Sequence, residues 1–248
     1  DGKEHMSYTV SLELGQPSDL SALAVVETPT LAPVRYERRR DWHGNDDPSS
    51  FFYGSGSWYT TETPIFMLPD GTETEDHPPL VHDLRHLDRW RAEPYPRIVE
   101  RTRAVLDRLP DGTPLLLDCT GIGASVVRLF DPLRPDLVRV VAAGEETQDG
   151  RTVRVPKRDL VSALAVLLET GRLRIAAGLA HGATLTTELR RFRARVGAAP
   201  DTADDWRDRD DDDLVLAVAL GAWHAERHSH VPFAYSVGES EMGWGATF

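Results

Sequence analysis

The sequence predicts an α/β protein whose mixed β-sheet has three antiparallel strands followed by parallel strands, with helices on its flanks. The first observation is a pair of strand patterns near the start, Tyr8 to Gly15 and Ser21 to Thr28, joined by a Gln-Pro-Ser-Asp turn. The second is that helix and strand patterns alternate from Tyr95 onward. An antiparallel meander followed by such an alternation is typical of a mixed sheet packed against helices.

The N-terminal part of the chain contains a third strand pattern and then an irregular stretch. Leu31 to Arg39 is predicted to be the third antiparallel strand. From Asp41 to about Arg89 the pattern is lost among Gly, Ser, Pro, Asp and aromatic residues, which indicates an insertion at about 41–89. A single domain is expected over residues 6–228. Residues 1–5 are interpreted as an expression remnant and residues 229–248 as a loose C-terminal tail.

Helices and strands alternate in the remainder of the chain. The helix from Lys157 to Glu169 is the best defined, because Pro156 precedes it and Gly171 follows it. Pro114 to Asp118 is a continuous apolar run of the kind that forms a buried parallel strand. The other predicted helices are Tyr95 to Leu109, Leu185 to Val196 and Leu214 to Glu226, and the other predicted strands are Leu137 to Ala142, Thr152 to Val155 and Arg172 to Ala176.

Composition excludes several classes of protein. The single cysteine, Cys119, excludes an intramolecular disulfide and a cysteine-rich zinc site, and none of the nine histidines has zinc-finger or HExxH spacing. The longest apolar stretches fall short of the ~20 residues that a membrane span needs, so a soluble intracellular protein is expected. The net charge of -12 counts against a nucleic-acid partner, but arginine clusters at Arg35 to Arg40 and Arg190 to Arg195 allow a local basic face.

Two acidic residues near strand ends are candidates for a metal site. Cleavage of a phosphodiester with two metal ions requires carboxylates that hold the ions about 3.5 to 4 Å apart. Asp118 ends an apolar strand, where ligands collect in α/β sheets, but a helix N-cap or turn aspartate is an equally good interpretation. Glu13 lies on the opposite face of its strand from Val10, Leu12 and Leu14, and the alternative there is an ordinary solvent-facing glutamate.

A third acidic position lies at the start of the last predicted helix. Steps of three and four residues from Asp213 reach Ala217, Leu220 and Gly221, so its carboxylate shares the face that packs on the sheet. Asp212 is its neighbour, and both residues are favoured at the positive N-terminal end of a helix dipole. An acidic first turn with no further role is therefore the alternative.

Seven segments, in the same order, resemble the nuclease domain of the phage terminase large subunit, over most of the chain from Tyr8 to Arg227. The matching segments are Val10-Ser-Leu-Glu-Leu-Gly with Asp19 shortly after, Tyr95-Pro-Arg-Ile-Val, Leu116-Leu-Asp-Cys-Thr-Gly-Ile-Gly, Val155-Pro-Lys-Arg-Asp-Leu-Val, Gly171-Arg-Leu-Arg-Ile-Ala, Glu188-Leu-Arg-Arg-Phe and Asp212-Asp-Leu-Val-Leu-Ala. The resemblance implies an RNase H-like fold of the RuvC-like superfamily with a two-metal site.

The resemblance also implies which residues form that site. Glu13, Asp118 and Asp213 occupy the positions of the catalytic carboxylates and of the ligands to two Mg²⁺ or Mn²⁺ ions. Asp212 adds a nearby ligand, and Asp19 resembles an auxiliary acid. Oxygen ligands of this kind suit both metals.

The implied activity is a metal-dependent DNA endonuclease that cleaves phosphodiester bonds during DNA packaging. Lys157 matches a lysine that often follows a proline in this family and is expected to contact a phosphate or a carboxylate. The alternative is an ordinary solvated lysine at the start of a helix. Besides double-stranded DNA, the implied partners are a separate packaging ATPase, the small terminase and the portal. The implied location is the cytoplasm of a bacterial host, with the gene carried by a phage or prophage.

Three departures from the family pattern leave other interpretations open. Glu13 stands where the family usually has Asp, no Gly-x-x-x-x-Gly-Lys-Ser/Thr loop of the packaging ATPase is present, and the insertion at 41–89 is long. One alternative is a non-catalytic DNA-binding or assembly module with a degraded RNase H-like site. Another is a recombination nuclease that acts on branched DNA.

Overall fold

The computed structural model describes residues 5–30, 33–43, 57–68, 71–76, 78–196 and 212–228. These residues divide into two compact units, of which the first contains residues 5–30 and 80–228 and the second contains residues 33–79. Residues 1–4 of the predicted remnant and the predicted tail at 229–248 lie outside the described residues. In the described part of the chain, no helix is both long and apolar enough to cross a membrane.

The first unit contains most of the regular structure. Its strands are β1 (His5–Glu13), β2 (Leu20–Thr30), β6 (His82–Arg91), β7 (Leu115–Asp118), β8 (Asp136–Val141), β9 (Thr147–Asp149), β10 (Thr152–Pro156) and β11 (Leu173–Ile175). Its α-helices are α1 (Tyr95–Leu106), α2 (Ala124–Val127), α3 (Lys157–Glu169), α4 (Gly182–Val196) and α5 (Asp213–His228), and a 3-10 helix spans Arg128–Leu133.

These strands form one eight-stranded sheet in the order β11-β6-β2-β1-β7-β8-β10-β9. Strand β2 is antiparallel to both of its neighbours, β1 and β6. Strands β1, β7, β8 and β10 are parallel, so their carboxyl ends lie along one edge of the sheet. The predicted fold class is confirmed: three antiparallel strands are followed by parallel strands in a mixed sheet.

The third antiparallel strand, however, is not the predicted one. Leu31 to Arg39 overlaps β3 (Arg35–His43), which pairs with β4 (Ser57–Met67) in the second unit. The main sheet instead uses β6, which begins at His82, inside the stretch predicted as an insertion at 41–89. A strand was therefore correctly predicted within Leu31 to Arg39, but it was assigned to the wrong sheet. The insertion ends before β6.

A β-bulge explains why β6 has no clear strand pattern in the sequence. Val25 pairs with His86 but the next residue, Val26, pairs with Leu84, so β6 contains one extra residue at this point. Leu84 and Leu87 consequently face the same core although they are three positions apart in the strand. A bulge of this kind breaks the period of two by which a strand is recognised.

The sheet of the first unit buries a hydrophobic core on each face. On one face, α5 packs against β1 and β2, and almost every residue from Leu214 to Trp223 is buried. On the other face, Ile98 of α1 and Phe130 of the 3-10 helix pack against Leu12 and Leu117. Because both faces of the sheet are covered, the central strands are apolar on both sides. The accessible part of each strand is therefore its end.

The second unit contains a small three-stranded sheet in the order β3-β4-β5, where β5 is Glu73–Thr74. Ion pairs join exposed side chains across it, including Arg35 with Glu73 at 2.6 Å and Arg38 with Glu62 at 2.8 Å. Exposed pairs of this kind contribute little to stability, because solvent screens them.

Candidate active site

The two strand-end candidates lie side by side at the carboxyl edge of the sheet. Strands β1 and β7 are parallel neighbours, and their register pairs Glu13 directly with Asp118. Paired residues on neighbouring strands point to the same face, and the strands are about 4.8 Å apart. The sheet alone therefore brings these two carboxyl groups together from positions far apart in the sequence.

Glu13 is not a solvent-facing glutamate. As the strand alternation predicts, Val10, Leu12 and Leu14 are buried in one core, and Ser11 faces the opposite side. There the Ser11 hydroxyl donates a hydrogen bond to the Ala217 carbonyl oxygen of α5 at 2.6 Å. The Oε2 atom of Glu13, on this same face, is buried and has no hydrogen-bond partner among the described residues.

Asp118 is held in a turn at the end of β7. The backbone N–H of Thr120 donates to Oδ1 of Asp118 at 2.8 Å, which is the turn interpretation considered for this residue. The turn is fixed to β8, because the Cys119 N–H donates to the Val138 carbonyl oxygen at 2.8 Å. Asp118 does not cap a helix, since α2 begins after Gly123. The hydrogen bond at Oδ1 orients the carboxylate at the sheet edge.

Helix α5 places Asp213 over the same face of the sheet. It can approach closely because it has a glycine where it crosses β1: a Cβ atom on Gly221 would lie 2.8 Å from the Ser11 Oγ. The helix begins at Asp213, and the Asp212 carbonyl oxygen accepts the N–H of Leu216 at 2.9 Å. Asp212 is buried, and the side chain of Asp213 is 19% exposed.

Two residues that the sequence analysis did not select join Asp213 in an ion-pair network. Arg89 of β6 lies 3.3 Å from Oδ2 of Asp213 through Nη2, and 3.0 Å from Oε1 of Glu188 through Nη1. Glu188 belongs to α4 and is only 3% exposed. Glu188 was visible only as part of a matching segment, and Arg89 stands at the end of the stretch predicted as an insertion.

The two auxiliary candidates also act on the site, in opposite directions. Asp19 is exposed in the β1–β2 connection, where Ser18 donates a hydrogen bond to its Oδ1 at 3.0 Å, and its charge raises the pKa of Glu13. Lys157 begins α3, directly after the parallel strand β10. Its positive charge lowers the pKa of both Glu13 and Asp118. Lys157 is therefore within electrostatic range of both paired carboxyl groups, and Asp19 is within electrostatic range of Glu13.

All three principal carboxyl groups resist ionisation. Burial raises the pKa of Glu13 well above its ordinary value, and the charges of Asp118 and Asp213 raise it further. Burial also raises the pKa of Asp118, against the hydrogen bonds from Thr120. For Asp213, burial raises the pKa to about 6 although Arg89 opposes the shift. The site thus brings together acidic groups where little water is available to stabilise their ionised form.

The donor atoms at this edge of the sheet are of the kind that binds a hard divalent cation. Carboxylate oxygens are the ligands that Mg²⁺ and Mn²⁺ prefer, and the Oε2 atom of Glu13 is buried with no protein partner among the described residues. However, no three acidic, histidine or cysteine side chains of the described residues are arranged so that they could already hold a metal ion. A cation at this edge of the sheet would therefore require side chains there to move, and Asp213 is at present in contact with Arg89.

The fold and this edge of the sheet define an α/β domain with a mixed sheet and acidic side chains at its strand ends. Among solved structures, the large terminase nuclease from thermophilic phage G20c with bound magnesium matches with a TM-score of 0.47 and 17% identity, over 88% of this chain and 80% of that chain. The same nuclease with bound zinc gives 0.42 and 15%, over 87% and 80%. A human cytomegalovirus terminase nuclease domain soaked with Mn gives 0.42 and 13%, over 88% and 82%.

No family model and no curated protein matches the chain.

Proposed function

We propose that this chain is a metal-dependent DNA endonuclease whose active site is formed by Glu13, Asp118 and Asp213. The observation that supports this most strongly is their convergence. Two of the carboxyl groups are register partners on parallel strands, and the third begins the helix that packs on the same face. Each has a raised pKa, which for a purely structural site would be a cost to folding without a benefit.

Glu13 and Asp118 would hold one Mg²⁺ or Mn²⁺ ion, and Asp213, with Asp212 beside it, would complete the coordination of a pair. When bound, such ions would lower the pKa of water so that it can serve as a nucleophile, and would stabilise charge on the leaving oxygen. The described structure contributes orientation, because the Thr120 N–H fixes one oxygen of Asp118. Lys157 contributes positive charge at the same edge, suited to a phosphate.

Double-stranded DNA is the proposed substrate, and the setting proposed for its cleavage is DNA packaging. This follows the sequence resemblance and agrees with the terminase nucleases among the structural matches. A separate packaging ATPase, the small terminase and the portal are the proposed partners, and they too follow from the sequence resemblance.

Plasmid cleavage tests the proposed activity. Supercoiled DNA incubated with the protein should be nicked or linearised in Mn²⁺ or Mg²⁺ and remain intact in EDTA. Asp118→Asn should lose at least about 100-fold in rate, since it removes a ligand charge while keeping the size of the side chain. Asp136→Asn is the matched control: this exposed aspartate lies at the other end of its parallel strand, so its rate should equal that of the wild type.

A second candidate is a DNA-binding or assembly module without catalysis. The observation in its favour is that Asp213 contacts Arg89 and that the described acidic residues are not preassembled around a metal position. Salt-dependent DNA binding with no cleavage in either metal would select this function and reject the endonuclease.

A further inference from the structure

Arg89 lies on the same face of the sheet as the acidic site. Its Cα pairs with Ala22 of β2, and Ala22 pairs in turn with Glu13 of β1. Residues paired across strands point to the same side, so Arg89 and Glu13 share the face on which α5 packs. The side chain of Arg89 is only 14% exposed, so its charge acts on its neighbours with little screening by solvent.

One guanidinium group serves two carboxylates from two different helices. Asp213 at the start of α5 and Glu188 in the middle of α4 each lie within ion-pair distance, at 3.3 and 3.0 Å. Glu188 is the more deeply buried partner and has the shorter contact. The Nε atom of Arg89 is buried and has no hydrogen-bond partner among the described residues, so these contacts are made through the two terminal nitrogens.

The two carboxylates differ in their freedom to move away from Arg89. Asp213 can turn toward the sheet edge, where Glu13 and Asp118 lie, because it stands at a helix terminus with 19% of its side chain exposed. Glu188 lies within a helix at 3% exposure, and a buried carboxylate of this kind keeps its cation. If Asp213 leaves, Arg89 still has Glu188, and neither buried charge is left without an opposite charge.

We propose that Arg89 is a positioning residue that holds Asp213 away from the metal position and releases it when a divalent cation binds, while Glu188 retains Arg89. The proposal rests on the proposed function, since it concerns the regulation of that same site. Arg89 then competes with the cation in two ways, because it occupies Asp213 and adds positive charge to the site. The strength of the Arg89 to Glu188 pair sets how readily Asp213 is released.

Two substitutions in this network should change metal affinity in opposite directions. In the double variant Arg89→Gln with Glu188→Gln, the competing cation is removed together with the carboxylate that it neutralises. We expect the Kd for Mn²⁺ to fall about tenfold, since removal of a like charge and release of a ligand both favour binding. In Glu188→Gln alone, Asp213 is the remaining carboxylate partner of Arg89 among the described residues, and the Kd should rise by a similar factor.

Mn²⁺ binding is measured on the full chain by electron paramagnetic resonance of the free ion, which needs no DNA and no turnover. Arg89→Lys should remain near the wild type because it retains the charge, and Arg97→Gln, an exposed arginine paired with Glu100, is the matched control. Adding Asp213→Asn to the double variant should remove the gain if the gain comes from the released Asp213. Circular dichroism confirms that each variant is folded.

The outcomes separate this inference from the proposed function. If the wild type binds Mn²⁺ and the double variant binds it no more tightly, Arg89 does not compete with the metal and the inference is wrong, while the endonuclease proposal stands. If only the double variant binds, the inference is supported in its strongest form. If neither protein binds Mn²⁺, the metal site itself is rejected, and both proposals fail.

Discussion

Asp213→Asn should stabilise the metal-free protein at neutral pH, although it removes an ion pair with Arg89. Burial raises the pKa of Asp213 from 3.8 to about 6, so its ionisation favours the unfolded chain. The stabilising contribution of the protonated group is complete below about pH 4 and is lost as the pH rises through about 6. A shift of about two units corresponds to about 3 kcal/mol between these limits.

The measurement is urea unfolding in EDTA, followed by circular dichroism, from about pH 4.5 to about pH 8. Relative to Asp213→Asn, the wild type should lose up to about 3 kcal/mol of unfolding free energy across this range. Glu13 and Asp118 are present in both proteins, so most of their own pH dependence cancels in the difference. The exposed control Asp136→Asn should give a curve parallel to that of the wild type.

A difference between wild type and Asp213→Asn that stays constant with pH would refute this reasoning. So would a wild type that gains stability relative to the variant as the pH rises. In either case Asp213 would be held as a favourable ionised partner of Arg89, and burial would not raise its pKa as described above.

Three further outcomes follow from the structure. Mg²⁺ or Mn²⁺ at about 100 times its Kd should stabilise the wild type by roughly 3 kcal/mol in thermal unfolding. If the metal stabilises Asp118→Asn by the same amount, it binds elsewhere. Gly221→Ala should lower the free energy of unfolding in urea by about 1–3 kcal/mol, because the new Cβ would lie 2.8 Å from Ser11 Oγ. Adding Ser11→Ala should restore part of this loss. If it restores nothing, the strain lies elsewhere. Glu226→Gln should lower the free energy of unfolding by about 2 kcal/mol, because Glu226 accepts hydrogen bonds from Arg172 at 2.8 and 3.0 Å. The affinity for Mn²⁺ should not change. A changed affinity would connect this distant pair to the site.

The elements predicted most accurately are those whose ends are marked by a few neighbouring residues in the sequence. The helix from Lys157 to Glu169 was predicted with the bounds that the structure shows, since Pro156 fixes its start and Gly171 takes a positive φ of 68° after its end. The buried strand ending at Asp118 was predicted within one residue because it is continuously apolar. Such signals are contained within a few neighbouring residues.

Pairing between distant segments was not predictable in the same way. The sequence assigned Leu31 to Arg39 to the main sheet, because adjacency along the chain was the only guide, and the bulge in β6 concealed the true partner of β2. Arg89 and Glu188 were missed for a related reason, since neither has a local pattern and their meeting depends on the packing of α4 near β6. The positions of Glu13, Asp118 and Asp213 could be proposed, but their metal-binding roles remain predictions.

A crystal of this chain soaked in MnCl₂ provides the most direct measurement, through anomalous scattering at the manganese absorption edge. We expect a peak between the carboxylates of Glu13 and Asp118, with Asp213 turned from Arg89 toward the metal. The absence of a peak there at saturating Mn²⁺, with Asp213 still paired to Arg89, would contradict a metal-dependent nuclease site at this edge of the sheet.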